Sequence, residues 1–129
     1  MFDIPESMKK ARALVLIAHG SRLEAANAEI RALAQKLEAR LKHPVIGAFL
    51  ELAEPSIPDA VDLALREGPH EILILPYFLT QGRHVQEDIP AILAEKARAY
   101  PETPLRLLPY LGSQDSILDL LESLAGPTQ

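Results

Sequence analysis

The sequence contains no cysteine, and aromatic residues make up only 5% of its 129 positions. Without cysteine, the chain cannot form disulfides, iron–sulfur clusters, cysteine-ligated zinc sites or a thiol nucleophile. Any metal site must therefore be built from histidine, aspartate, glutamate or water. Hydrophobic residues at 48% and charged residues at 24% are the proportions of an ordinary globular protein.

No long hydrophobic run is present either, although a membrane-spanning helix needs about 20 mostly apolar residues. The best run covers residues 72–79 and is interrupted by Pro76. The apolar residues 13–18 follow three basic residues, but they are too few for a signal peptide and end in His19-Gly20-Ser21 rather than a cleavage site. We therefore expect a cytoplasmic protein with no membrane partner.

The charge balance is acidic, with 13 basic against 18 acidic residues and a net charge of −5. This balance argues against broad binding to nucleic acid, which needs a basic surface, but it leaves room for a small local basic site. The length is that of one domain. We expect a single domain over residues 13–125, preceded by a loose segment over residues 1–12.

Apolar runs alternate four times with segments of helical periodicity. Uninterrupted apolar runs are typical of parallel strands that helices cover on both faces. The pattern predicts a doubly wound α/β domain with a four-stranded parallel sheet flanked by helices, and Pro76 indicates that the third strand ends near it. The predicted strands cover residues 13–18, 45–52, 71–79 and 105–111, and the predicted helices cover residues 24–41, 56–66, 85–99 and 113–125.

Polar residues gather where the predicted strands end, which is where open parallel α/β sheets bind ligands. His19 follows the first strand, Glu51 closes the second and His84 follows the third. Arg22 and Arg83 stand near the histidines and suggest an anion site, since arginine binds carboxylates in bidentate fashion. The two remaining histidines fall at the opposite edge: His43 and His70.

Each of these residues also has a structural interpretation. His19 can be a packing residue in a tight turn whose Ser21 caps the next helix, or a ligand, since neutral imidazole binds first-row transition metals. Glu87 and Asp88 share a helical face with His84 and either stabilise a helix dipole or join a metal or proton-transfer cluster. Glu51 is either exposed at the sheet edge or directed into a cleft, where partial burial would suit it to accept protons.

Three segments resemble the sirohydrochlorin cobaltochelatase family in its short, single-domain form. They are residues 18–22 (AHGSR), residues 49–57 (FLELAEPSI) and residues 76–90 (PYFLTQGRHVQEDIP). The resemblance extends from Ala13 to about Leu124, and the third segment is long and specific. It implies a class II chelatase-like fold and an enzyme of tetrapyrrole metabolism.

The resemblance further implies ATP-independent insertion of Co²⁺ into sirohydrochlorin, a polycarboxylate tetrapyrrole, in anaerobic cobalamin biosynthesis. The divalent metal is then a substrate, no organic cofactor is needed, and a one-domain chain is expected to pair as a homodimer. His19 and His84 correspond to metal ligands and proton acceptors, and Glu51 corresponds to a third catalytic residue. The residues implied in substrate binding are Ser21, Arg22, Gln81, Gly82 and Arg83.

Other functions remain open at this point. Nickel and iron chelatases of the same family use the same tetrapyrrole, and imidazole ligands do not select sharply among these ions. A non-catalytic carrier of metal or tetrapyrrole would bind both partners without releasing a metallated product. An ordinary α/β domain with capping histidines would bind neither of them through His19 or His84.

Overall fold

The computed structural model describes residues 12–126, which form a four-stranded parallel sheet with the strand order β2-β1-β3-β4. The strands are β1 (Arg12–Ala18), β2 (Val45–Phe49), β3 (Glu71–Pro76) and β4 (Leu105–Leu107). The loose segment expected at residues 1–12 lies outside the described residues, except for Arg12, where β1 begins. No helix in the described range has the length and apolar character to cross a bilayer.

Helices pack on both faces of the sheet, which confirms the predicted α/β class. Helix α1 (Glu24–Leu41) lies on one face, whereas α2 (Ile57–Arg66) and α3 (Ile89–Ala99) lie on the other. A π-helical turn (His84–Asp88) leads into α3, and a 3₁₀ turn (Leu111–Ser113) leads into α4 (Asp115–Ala125). The helix α1 begins and ends at the residues that periodicity predicts.

The α2–α3 side of the sheet forms the main core. Twelve buried residues cluster there, against four on the α1 side, so most of the burial that stabilises the domain lies between α2, α3 and the sheet. Ile17, Ile72 and Ile74 are fully buried in it, and burying one such side chain stabilises the fold by about 1.5–3 kcal/mol. The strand β1 is buried on both faces from Ala13 to Ala18, as expected for a central parallel strand.

Several predicted boundaries are wrong, and three of them have a local reason. The strand β2 stops at Phe49 rather than at residue 52, because the Phe49 amide bonds the Pro55 carbonyl at 3.0 Å and the chain folds back. The strand β4 stops at Leu107, two residues before Pro109. The third helix starts as a π-turn in which the Ile89 amide donates to the His84 carbonyl. The next residue, Pro90, has no N–H and cannot donate the regular helical hydrogen bond to the carbonyl four residues earlier. The strand β3 ends at Pro76, as the proline indicated, rather than at residue 79, where the apolar run ends.

The expectation that helices cover both faces of every strand holds for β1 but not for β3 and β4. The α1-side residues Leu73 and Leu75 are only half-buried, and most of β4 is exposed. The cause is that α1 packs against β1 and β2 while α4 contributes no residue to either core cluster. The fourth helix also starts later than predicted, at Asp115.

The chain reverses its direction across the sheet between β1 and β3. From β1 it moves to β2 through α1, and from β3 it moves to β4 through α3 on the opposite face. Such a reversal opens a crevice outside the carboxyl ends of the two strands. His19 follows β1, and His84 opens the turn after β3, so both histidines stand beside this crevice.

A close backbone approach at Gly20 generates a stability prediction. Gly20 has φ +97°, and a Cβ there would lie 1.8 Å from the Glu51 carbonyl oxygen. Gly20→Ala should therefore lower the free energy of unfolding by about 3 kcal/mol, measured by urea denaturation. Gly82→Ala is the matched control, because nothing lies within 4 Å of a Cβ there. It should change stability by less than about 1 kcal/mol, and an equal loss in the two variants would contradict the prediction.

Candidate active site

The side chains of His19 and Glu51 are neighbours because the β1–β2 ladder continues past the ends of both strands. The Leu50 amide donates to the Ala18 carbonyl at 3.0 Å, and the Glu51 amide donates to the His19 carbonyl at 3.1 Å. These bonds place the two side chains at adjacent strand ends, with His19 Nε2 3.0 Å from Glu51 Oε1. The carboxylate is therefore positioned to stabilise a positive charge on the His19 ring.

His84 joins this pair from the other side of the crevice. Its ring centroid lies 5.1 Å from that of His19, and the two ring planes meet at 68°. His84 Nδ1 donates to Asp88 Oδ2 at 2.6 Å across one turn of the π-helix. An ionised carboxylate only accepts hydrogen bonds, so the neutral His84 ring carries its hydrogen on Nδ1 and keeps the Nε2 lone pair free.

The four side chains are accessible from solvent, with exposed fractions between 42% and 53%. Glu51 is accordingly half-exposed rather than buried. A cleft of about 430 Å³ lies beside it, and His84 and Asp88 form part of the wall. His84 is reached directly from this cleft, and the His19 ring lies next to the His84 ring.

The residues predicted to bind substrate surround the histidines on exposed loops. Arg83 Nε lies 3.6 Å from Glu87 Oε2, so Glu87 pairs with the arginine while Asp88 pairs with His84. Arg22 is exposed and forms no ion pair with any carboxylate of residues 12–126. Gln81 and Gly82 are also exposed, and Gln81 lines a separate groove of about 640 Å³ toward β4.

Asn27 is a positioning residue that the sequence analysis missed. It is 3% exposed, and it is the one buried polar residue among those that the structure describes. Its Nδ2 donates to the Ser21 carbonyl at 2.7 Å, and its Oδ1 accepts from the Ser21 amide at 2.9 Å. The sequence offered one indication of this role, because Asn27 is a polar residue on the inner face of α1. These two bonds hold the loop that carries His19.

Ser21 does not cap α1 directly. Its Oγ accepts from the Leu23 amide at 3.0 Å, which closes a turn just before the helix, and Leu23 occupies the N-cap position without a side-chain bond. Ser56, by contrast, caps α2 directly, because its Oγ accepts from the Asp59 amide at 3.2 Å at the start of that helix. The serine after β1 therefore shapes the His19 loop rather than the helix.

Arg31 ties α1 to the loop that carries Glu51. Its Nη2 donates to the Glu54 carbonyl at 3.0 Å, and its guanidinium lies 5.2 Å above the Phe49 ring. Arg31 also pairs with Glu24, and the hydrogen bonds from Arg31 and then Asn27 hold the pKa of Glu24 below its usual value. The loop after β2 is therefore anchored on the same helix as the loop after β1.

Two of the four histidines stand apart from this site. His43 lines a cleft of about 360 Å³ with Glu38 and Glu67 at the opposite edge of the sheet, and His70 precedes β3 at that edge. Across residues 12–126, no three or more histidine, aspartate and glutamate side chains converge as a set that could hold a metal ion. The arrangement at the crevice is instead two imidazoles, each beside its own carboxylate, which is suited to accepting protons.

Comparison with known proteins identifies a family that the chain resembles over nearly its whole described length. Residues 13–126 match the model of the CbiX family. The chain is 30% identical over 112 residues to the chloroplastic sirohydrochlorin ferrochelatase of Arabidopsis thaliana, covering 86% of this chain and 50% of the relative. It is 40% identical over 82 residues to the sirohydrochlorin cobaltochelatase of Methanocaldococcus jannaschii, covering 63% of this chain and 57% of the relative. The chain thus spans little more than half the length of these curated relatives.

Solved structures share the fold. A CbiX protein from Marinobacter aquaeolei has a TM-score of 0.76 and 26% identity, covering 88% of this chain and 93% of that chain. The sirohydrochlorin chelatase SirB from Bacillus subtilis subspecies spizizenii, in complex with cobalt, has a TM-score of 0.76 and 28% identity. The match covers 85% of this chain but 47% of the SirB chain. The fold described here is therefore similar to a whole chain in one case and to half of a longer chain in the other.

The bond between His84 and Asp88 generates a prediction about proton position. In alkaline solution, long-range ¹H–¹⁵N correlation spectra should show that the neutral His84 ring carries its hydrogen on Nδ1. Asp88→Ala removes the acceptor, so the hydrogen should redistribute toward Nε2. Glu87→Ala is the matched control and should leave the spectrum of His84 unchanged, because Glu87 pairs with Arg83. Spectra insensitive to Asp88→Ala would contradict the geometry.

Proposed function

This chain belongs to the CbiX family, and we propose that it inserts Co²⁺ into sirohydrochlorin without ATP, in anaerobic cobalamin biosynthesis. The observation that carries the proposal is the pair of imidazoles 5.1 Å apart at the crevice, each with its own carboxylate partner. The cobaltochelatase name of the relative at 40% identity supports both the tetrapyrrole and the metal. The metal is a substrate in this reaction and leaves with the macrocycle.

Insertion exchanges two pyrrole N–H protons for one divalent ion, so the reaction needs two proton acceptors. His19 with Glu51 and His84 with Asp88 provide them, since a carboxylate stabilises the imidazolium that forms beside it. The same imidazoles present lone pairs to the incoming metal ion. Two imidazoles completed by water hold such an ion without trapping it, which transfer to the macrocycle requires.

The substrate carboxylates need cationic partners on a protein of net charge −5. Arg22 and Arg83 supply them beside the two histidines, and the exposed residues Gln81 and Gly82 complete the binding edge with the partly buried Ser21. A local basic group can outweigh the overall charge, because salt screens charges beyond about 8 Å. Arginine also matches a carboxylate through two parallel hydrogen bonds.

Imidazole binds several divalent ions, so the two histidines do not by themselves select Co²⁺. The Arabidopsis relative is named a ferrochelatase, and the histidines would accept Fe²⁺ or Ni²⁺ in the same geometry. Iron or nickel insertion into the same tetrapyrrole is therefore the alternative within this proposal. No organic cofactor takes part in either version.

We also propose that the active species is a cytoplasmic homodimer. The chain matches 47% of the SirB chain, so two copies supply about its full length. The half-exposed histidines and carboxylates favour the same view, because a second copy facing the crevice would enclose them. An enclosed site strengthens the electrostatic interactions on which proton transfer depends.

An anaerobic absorbance assay tests the proposed reaction. Sirohydrochlorin is mixed with a catalytic amount of protein and Co²⁺, Ni²⁺ or Fe²⁺ in separate cuvettes. We expect multiple turnovers above the uncatalysed rate, fastest with Co²⁺. Stoichiometric binding of metal or tetrapyrrole without turnover would instead identify a carrier. A faster rate with Fe²⁺ or Ni²⁺ would identify that ion, rather than Co²⁺, as the substrate metal.

The two histidines generate the sharpest prediction about activity. His19→Ala or His84→Ala should lower kcat by about 10²–10⁴-fold, because each removes a positioned proton acceptor and a metal ligand. Both side chains are half-exposed, so thermal unfolding should be nearly unchanged. His43→Ala at the opposite edge is the matched control and should retain full activity. Near-normal turnover in either site variant would remove that residue from the mechanism.

A further inference from the structure

Three strongly exposed leucines stand on the loops that form the candidate active site. Outside α4, the most exposed large apolar side chains of residues 12–126 are Leu23 at 67%, Leu52 at 55% and Leu79 at 68%. They follow β1, β2 and β3 respectively, within five residues of the histidine or glutamate on the same loop. Exposed leucines scattered singly need no explanation, but three around one site indicate a surface that a ligand covers.

Leu52 adopts a backbone conformation that disfavours leucine. Its φ is +67°, where the Cβ of an L-residue lies too close to the following carbonyl oxygen, whereas glycine and asparagine are tolerated. The chain is held on both sides of this residue. The Glu51 amide donates to the His19 carbonyl at 3.1 Å, and the Glu54 carbonyl accepts from Arg31 Nη2 at 3.0 Å. With 55% of its surface exposed, Leu52 packs too little to explain why a leucine holds this position.

Leu23 occupies a second position where the backbone favours another residue. It is the N-cap of α1 and forms no side-chain hydrogen bond there. Serine, threonine, asparagine and aspartate are preferred at an N-cap because their side chains accept from the free amides of the first turn, and leucine has no acceptor. The helix α2 uses such a cap at Ser56. Two of the three exposed leucines therefore stabilise the local backbone less than a polar residue would, and such conflicts are expected at functional sites.

Positive charge accompanies these leucines along the chain. Arg22 immediately precedes Leu23, and Arg83 lies four residues beyond Leu79; both arginines are exposed. Apolar side chains next to guanidinium groups suit a ligand with an apolar body and carboxylates at its rim. A tetrapyrrole that carries carboxylates has this chemistry, since its flat conjugated ring is apolar. A metal ion alone would need no leucine, so the leucines point to the tetrapyrrole rather than to the metal.

From these observations we propose that Leu23 and Leu52 are substrate-binding residues whose side chains pack against the face of the tetrapyrrole ring. Leu79 completes the apolar surface from the third loop. The inference rests on the proposed function and deepens it, because it assigns residues to the ring rather than to the carboxylates or the metal. The unfavourable backbone positions persist because each leucine gains contacts only when substrate is bound, which exchanges stability for affinity.

Asparagine substitutions separate binding from folding, because asparagine suits both backbone positions and carries no charge. Leu52→Asn tolerates the positive φ, and Leu23→Asn supplies the missing cap. The melting temperature Tm should not fall in Leu52→Asn and should rise by about 2–6 °C in Leu23→Asn. The KM for sirohydrochlorin should nevertheless rise about 10-fold in each variant, because part of a leucine burial is lost. The kcat and the KM for Co²⁺ should change by less than about 2-fold, since the lost contact is with the ring.

Lys42 offers a matched control, because it is the other described residue besides Leu52 that has a positive φ without being glycine. Its φ is +61°, at the C-cap of α1, beside the cleft at the opposite edge of the sheet. Lys42→Asn should therefore retain or raise Tm and leave the KM for sirohydrochlorin unchanged. Leu52→Met, which keeps an apolar side chain of similar volume at the same φ, should recover most of the affinity that Leu52→Asn loses.

Fluorescence titration with sirohydrochlorin in the absence of metal gives the Kd of each variant without turnover. Equal Kd values for the wild-type chain and both asparagine variants, or a lower Tm in both, would overturn the inference. Sedimentation that shows weakened self-association with an unchanged Kd would assign the leucines to a protein interface and would also overturn it. If the wild-type chain binds sirohydrochlorin but inserts no metal, the proposed reaction fails, while the comparison of Kd values still decides the role of the leucines.

Discussion

The candidate active site depends on two backbone hydrogen bonds that carry the β1–β2 ladder beyond the last residue of either strand. They run from Leu50 to the Ala18 carbonyl and from Glu51 to the His19 carbonyl. The backbone at position 20 lies so close to the Glu51 carbonyl that only glycine fits there, because a Cβ would overlap the carbonyl oxygen. The histidine and the glutamate are therefore held by the same interactions that hold the sheet, and their separation follows from strand spacing.

The rest of the site is built around this fixed pair. Asn27 and Arg31 on α1 anchor the loops after β1 and β2, so one helix positions both. His84 comes from the third strand end, and its π-turn gives it Asp88 as a partner. The reversal of chain direction between β1 and β3 makes the crevice into which these groups converge. Two histidines and two carboxylates from three strand ends thus meet without any buried charge.

Within residues 12–126, the four side chains at the crevice are half-exposed and the leucines of the last helix are uncovered. Both features lie in the same part of the molecule, since the turn that starts α4 is packed against the segment after β3. The proposed homodimer would bring a second surface to the open site.

The sequence by itself determined the strand–helix alternation, the limits of α1, the end of β3 at Pro76 and the gathering of His19, Glu51 and His84 at one edge. Apolar periodicity and proline chemistry act within a few residues, so they can be read along the chain. Only the tertiary structure decided that β2 stops at Phe49, that Asn27 braces the His19 loop and that α4 stays off its own sheet. Those outcomes depend on contacts between segments far apart in the chain, which no local pattern encodes.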